Sequence, residues 1–188
     1  MYSRVLITAN LKNNQVKTMD QMKNIEYQIL TIDKNQGRKV NIAGGEYRII
    51  ISGEHTGGSF AIIEMAVPPG AGPVPHSHPS ISETFHVLDG ELSFRSEKGR
   101  FLAQKGSTVS IPKGGLIHSF KNLTDKPAKL LCTVIPAGLD DFFIEVADFM
   151  TSVKENPLQS SDLENKKILN QLSEKYGQTL FEPDYLDL

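Results

Sequence analysis

Between about residues 40 and 136, short apolar runs alternate with Gly/Pro turns. The runs are Tyr47–Ile51, Phe60–Val67, Thr84–Leu88, Glu91–Arg95, Thr108–Ile111 and Lys129–Ile135. Gly57-Gly58, Pro68-Pro69-Gly70, Asp89-Gly90, Lys98-Gly99 and Gly114-Gly115 punctuate them. Strand-length runs with turn signals every ~8–12 residues predict a β-sandwich or barrel. Asp89-Gly90 lies directly between two runs. It reads as a hairpin, because glycine accepts the positive φ of a type I′ turn.

After Gly138 the period changes. Leu139, Phe142, Phe143, Val146, Phe149 and Met150 form one wide apolar stripe at helical spacing, and Pro157 closes that segment. Ser161 with Glu164 is a capping-box pattern. Leu163, Ile168, Leu169, Leu172 and Tyr176 offer an apolar face, and Gly177 is a C′ stop. Residues 1–40 are less legible. Arg4–Ala9 and Tyr27–Ile32 are candidate short strands around a stretch rich in Asn, Gln, Lys and Met.

The expectation is therefore one domain over 1–188. It has an N-terminal extension (1–40), a β barrel (41–136) and two C-terminal helices packed on it (137–188). A chain of 188 residues buries roughly 70% of its unfolded surface and needs no staple to fold. The single Cys132 excludes an intrachain disulfide framework and a multi-cysteine zinc site. Twenty basic against 22 acidic residues leave no electrostatic footprint for nucleic acid. No apolar run approaches the ~20 residues that span a bilayer, and Val5-Leu6-Ile7 is too short for a signal-peptide core. The expected compartment is the cytoplasm, with no membrane partner.

Five histidines carry the chemistry: His55, His76, His78, His86 and His118. His76 and His78 follow a proline-rich turn. Residues i and i+2 of a strand share a face, with α-carbons ~6.6 Å apart, so both imidazoles can reach one ion. Pro79 and Ser80 interrupt the strand and let Glu83 open the next one toward the same interior. His118 arrives from a further strand. Three neutral nitrogens and a carboxylate suit one divalent transition ion: Fe, Mn, Ni, Cu, Co or Zn. Four protein ligands on an octahedral ion leave two positions open for a ligand or substrate.

The spacing resembles a known family. Gly70, five residues, His76, one residue, His78, four residues, Glu83, six residues, Gly90 is the first cupin motif without a mismatch. Gly106, five residues, Pro112, one residue, Gly114 opens the second. That motif usually places two residues before its His, whereas Gly115, Leu116 and Ile117 precede His118; the His-x-x-x-Asn tail to Asn122 is intact. The strings SGEHTGGSFAIIEMAVPPGAGPVPHSH, SETFHVLDGELSFR and IPAGLDDFFIEVADF are similar to small single-domain cupins of the quercetin 2,3-dioxygenase-like group, over about residues 45–150. The KYG near the C-terminus is similar too.

The resemblance implies an all-β double-stranded β-helix, or jelly roll, with a metal in the barrel and often a homodimer. It does not fix a reaction, since cupins include dioxygenases, isomerases, decarboxylases and storage proteins. The leading expectation is a mononuclear metal-dependent dioxygenase acting on a flavonol-, catechol- or diketone-like small molecule. His76, His78, Glu83 and His118 would be ligands, and Glu83 doubles as a catalytic base. Phe85 and Val87 share the parity of Glu83, and Phe120 that of His118. These three and Phe94 are the expected pocket walls. The alternatives are a non-catalytic metal-dependent binding module and a non-redox Lewis-acid isomerase or decarboxylase. His86 is expected to face away from Glu83, His55 to sit in a solvated turn, Glu64 to face solvent or a partner, and Cys132 to be a small buried hydrophobe.

Overall fold

A computed structural model describes residues 29–155 and 161–187. Of the two candidate N-terminal strands, Arg4–Ala9 lies outside the described residues. So does the start of Tyr27–Ile32, and its described part, residues 29–32, is not in a strand. Pro157 also lies outside them. Residues 32–188 form one compact unit.

The described residues of this unit form two antiparallel sheets. One has the order β1 (Arg38–Ile42), β2 (Gly45–Ile51), β3 (Ala61–Val67), β10 (Ala128–Ile135), β5 (Ser82–Asp89), β8 (Thr108–Ile111). The other runs β11 (Thr179–Leu180), β4 (His76–Ser77), β9 (His118–Lys121), β6 (Glu91–Ser96), β7 (Gly99–Gln104). The expected all-β fold is thus observed. Strict alternation drives it: on β3, Ala61, Ile63, Met65 and Val67 point inward, while Ile62, Glu64 and Ala66 are half-exposed. On β10, Ala128, Leu130, Cys132 and Val134 do the same. Fully burying each large apolar side chain among these contributes ~1.5–3 kcal/mol.

Asp89-Gly90 does not make a hairpin. β5 pairs with β10 and β8, whereas β6 pairs with β7 and β9, so the chain crosses from one sheet to the other at Gly90. The glycine signal was real but served another purpose. Gly90 has φ +75°, and a Cβ there would meet the Ala128 Cα at 2.9 Å. The tight hairpin instead joins β6 to β7, with Ser96 opposite Gly99.

Three helices complete the described fold: α1 (Gly53–Thr56), α2 (Leu139–Glu155) and α3 (Asp162–Lys175). The expected turn around His55 is the one-turn α1, in which the His55 ring accepts from the Ser52 amide at 3.1 Å. The start of α2 is pinned by Asp140, which accepts from Gly138 N at 2.9 Å and Gly53 N at 2.7 Å. α2 buries Leu139, Phe142, Phe143, Val146 and Ala147. Ser161 and Glu164 form the expected capping box of α3, and Gly177 follows its end at φ +71°. Leu163 is 78% exposed rather than packed. At about 100° per residue it lies on the far side of the helix from Leu169, Leu172 and Tyr176, which pack on the core. No described helix is long and apolar enough to cross a membrane.

Candidate metal centre

His76 lies on β4 and His118 on β9, and the two residues face each other in the ladder. His78 follows β4 directly, and Glu83 is the second residue of β5. The turn through Pro79 and Ser80 therefore carries the chain from one sheet to the other while both side chains stay inside. All four residues are buried, His78 and His118 to 1% exposure and Glu83 to 3%. Their ligand atoms lie within 4.8 Å of one another. Two ligands on opposite sides of an ion bound at ~2.1 Å stand ~4.2 Å apart, so the group fits one divalent ion with little contraction.

The tautomers also fit. Each imidazole has its Nδ1 on a backbone carbonyl: His76 on Val74 at 2.9 Å, His78 on Ile81 at 3.1 Å, His118 on Leu116 at 2.8 Å. A ring that donates from Nδ1 leaves Nε2 as the atom that faces an ion, the arrangement that metal-binding histidines use, once any proton shared there with Glu83 is displaced. Nε2 of His78 and of His118 lie 2.8 and 3.1 Å from the same oxygen, Oε2 of Glu83.

Electrostatics follow from this packing. Burial, then the neighbouring His118, lowers the His76 pKa to about 4, so that ring is neutral. Burial also works against a charge on His78, but the hydrogen bond to Glu83 outweighs it and raises that pKa above the ordinary imidazole value. For Glu83, burial alone would raise the pKa. Hydrogen bonds with His118 and His78 prevail and hold the carboxyl well below the ordinary range.

His76 and Glu83 open onto a cavity of about 590 Å³. Tyr47, Met65, Phe85 and Phe120 form one part of its wall, and Phe142, Phe143 and Val146 of α2 another. Gln178 and Leu180, at the C-terminal end, close a third side, and Lys154 stands at the rim. Val87 and Phe94, expected in the wall, lie behind it. The Phe94 ring packs at a tilt against Phe85 and Phe120, with centroids 5.3 and 5.5 Å away, and Val87 is one inward position farther along β5 than Phe85.

Sequence reasoning missed Tyr47, whose ring meets Phe143 edge-on at 5.3 Å. Burial, followed by Cys132 and Glu83, raises its pKa and keeps the phenol protonated. Its inward parity with Ile49 was the available signal. The stripe of α2 read as core packing, yet Phe142 and Phe143 also face the cavity.

The remaining candidates lie elsewhere. His86 is exposed and contacts Thr108 Oγ1 across the β5–β8 pair at 3.0 Å. Glu64 points out of the barrel, 3.2 Å from Arg48 Nε and 3.8 Å from Lys129 Nζ. Cys132 is fully buried, as expected, but also lies 3.8 Å from Glu83 Oε1.

Residues 63–134 match the family model for the Cupin domain. The chain is 22% identical over 117 residues to quercetin 2,3-dioxygenase of Bacillus subtilis, covering 62% of this chain and 34% of that protein. It is 41% identical over 78 residues to "Probable germin-like protein subfamily 2 member 5" of Arabidopsis thaliana, covering 39% and 35%. It thus spans about a third of the length of these two curated relatives. A sugar phosphate isomerase of the cupin superfamily from Silicibacter pomeroyi superposes with TM-score 0.50 at 21% identity, over 58% of this chain and 77% of that one. A polyketide cyclase of Streptomyces resistomycificus does so with TM-score 0.50 at 19% identity, over 57% and 80%. These solved structures bear on the fold alone. The motif spacing, the paired sheets and the family match agree: this chain carries a cupin domain.

Proposed function

We propose that the protein is a mononuclear metal-dependent dioxygenase acting on a small enolisable or aromatic substrate of the flavonol, catechol or diketone type. One observation carries this reading: three imidazoles and a carboxylate converge at the edge of an apolar, aromatic-walled cavity large enough for such a molecule. The likeness to a quercetin 2,3-dioxygenase supports it.

His76, His78, Glu83 and His118 would hold the ion. A redox-active divalent ion held there would polarise the substrate's oxygen and relay electrons from the substrate to dioxygen, both of whose atoms end in the product. The chain's own groups do the rest. Phe85, Phe120 and Phe143 exclude water and favour a planar ring. Glu83 is the one acidic residue in the described cavity lining, so it is the group placed to take a substrate hydroxyl proton.

The test is oxygen uptake by protein loaded separately with Fe, Mn, Ni, Cu or Co, over flavonols, catechols and 1,3-diketones. Stoichiometric uptake with one substrate class supports the reading. No uptake across the panel rejects it. Turnover with Zn(II) in the absence of oxygen would put a Lewis-acid enzyme in its place. A ligand that raises the melting temperature without turnover would make the protein a binding module.

A further inference from the structure

The four ligands do not have the same outer contacts. Each imidazole is fixed at Nδ1 by a backbone carbonyl, whereas the Glu83 carboxylate has none. Its Oε2 meets His78 and His118. Its other oxygen, Oε1, meets the thiol of Cys132, with Sγ 3.8 Å away. Among the described residues this thiol is the one hydrogen-bond donor to Oε1.

Sheet register makes the contact. On the β5–β10 pair Glu83 stands opposite Val134 and Cys132 opposite Phe85, so Glu83 and Cys132 are diagonal neighbours on the inward face. Cys132 is 0% exposed and has no route to solvent chemistry.

We propose that Cys132 is a positioning residue of the metal centre: its thiol engages Oε1 of Glu83, so that the carboxylate offers only Oε2 to the ion. The inference rests on the metal-site reading above but not on the dioxygenase reaction. A thiol is a weak donor, so it can orient the carboxylate without competing strongly with an ion for it. Outer partners of this kind typically alter metal affinity 10–100-fold. A purely packing role makes the opposite demand, since alanine or valine would then satisfy the site and a serine hydroxyl would not.

The experiment titrates Co(II) alone into chelator-stripped parent, Cys132→Ser, Cys132→Ala and Cys132→Val proteins. Affinity is read by calorimetry and coordination by the visible ligand-field spectrum. Cys132→Ala and Cys132→Val should bind about tenfold or more weakly. Their absorption should be altered and weaker, as the freed Oε1 joins the ion. Cys132→Ser should keep the parent's spectrum and about its affinity.

Because the chain has one cysteine, the S–H stretching band of the unaltered protein gives a readout that needs no variant at 132. It should lie below that of a free thiol and return to the free value in Glu83→Ala. Parent-like binding and spectrum in Cys132→Ala, a loss in Cys132→Ser equal to that in Cys132→Ala, or a free-thiol frequency in the parent would each overturn the proposal. A thiolate-to-cobalt charge-transfer band in the parent would overturn it too, by making Cys132 a ligand. A parent that binds no Co(II) brings down the metal reading, and this inference with it, and the parent titration alone identifies that case.

Discussion

Oε2 of Glu83 lies 2.8 Å from Nε2 of His78, although a turn through Pro79 and Ser80 separates the two strands that position them. The nitrogen nearest the carboxylate is the one an ion needs. The pair therefore holds a proton where the metal would bind, and binding has to displace it.

The pH dependence of metal affinity follows from that competition. His78 holds its proton to a higher pH than an imidazole in the ordinary range, because the Glu83 contact outweighs burial. Affinity should therefore rise as pH rises through and past that range, and fall below it. His76, with its pKa lowered to about 4, is already neutral near neutral pH and releases nothing. Calorimetry in two buffers of different ionisation enthalpy, repeated across that range, should show proton release on metal binding that diminishes as pH rises. Release that is absent at every pH would contradict a competition between proton and ion at His78.

His76→Ala removes a ligand without touching the central core of Ile63, Met65 and Leu130. The metal affinity should drop by more than the ~10–100-fold cost of losing an outer partner. The far-ultraviolet circular dichroism of the chelated protein should match the parent's. A variant that unfolds outright would show that the barrel depends on this residue for more than the ion.

Asn122→Ala tests the tail of the second motif. Asn122 Nδ2 donates to Val67 O at 2.8 Å and to Lys126 O at 2.7 Å, and Oδ1 accepts from Thr124 N at 2.9 Å. The side chain is fully buried and ties β9 to the end of β3. Its removal should cost about 3 kcal/mol in denaturant unfolding, since each buried polar group left unpaired costs ~1–3 kcal/mol. Metal affinity should stay within about threefold. A loss under ~1 kcal/mol would show that water replaces the amide.

Phe143→Leu probes the cavity wall. The Phe143 ring meets Tyr47 at 5.3 Å beside the cavity. Aromatic pairs of this geometry are worth ~0.5–1.5 kcal/mol beyond their buried area. For an aromatic substrate kcat/KM should fall about 2–12-fold, mostly through KM, with metal affinity unchanged. An unaltered KM would place the substrate elsewhere.

The site was more legible than the topology. The spacing of His76, His78, Glu83 and His118 is a property of the chain itself, and it survives whichever strands pair. Alternation along β3 and β10 was equally plain, because each strand has one wet and one dry face. The Asp89-Gly90 signal misled because a glycine reports a local φ, whereas pairing partners are set by contacts far along the chain. β4 and β11 have two residues each and no period to detect. The cavity walls contributed by Tyr47, Phe142 and Phe143 were hidden for a related reason: an inward residue looks the same in sequence whether it meets another side chain or open space. Cys132 read as an ordinary small hydrophobe because nothing in the sequence marks its diagonal neighbour.

His76 and His118 belong to the five-stranded sheet, Glu83 to the six-stranded one, and His78 begins the turn that passes between them. A cation gripped by all four would rivet the two plates together at that rim. Gaping of the sandwich there would have to wait for the rivet to leave. The persistence of the closed vessel against proteases would then track its cargo as well as its oily interior.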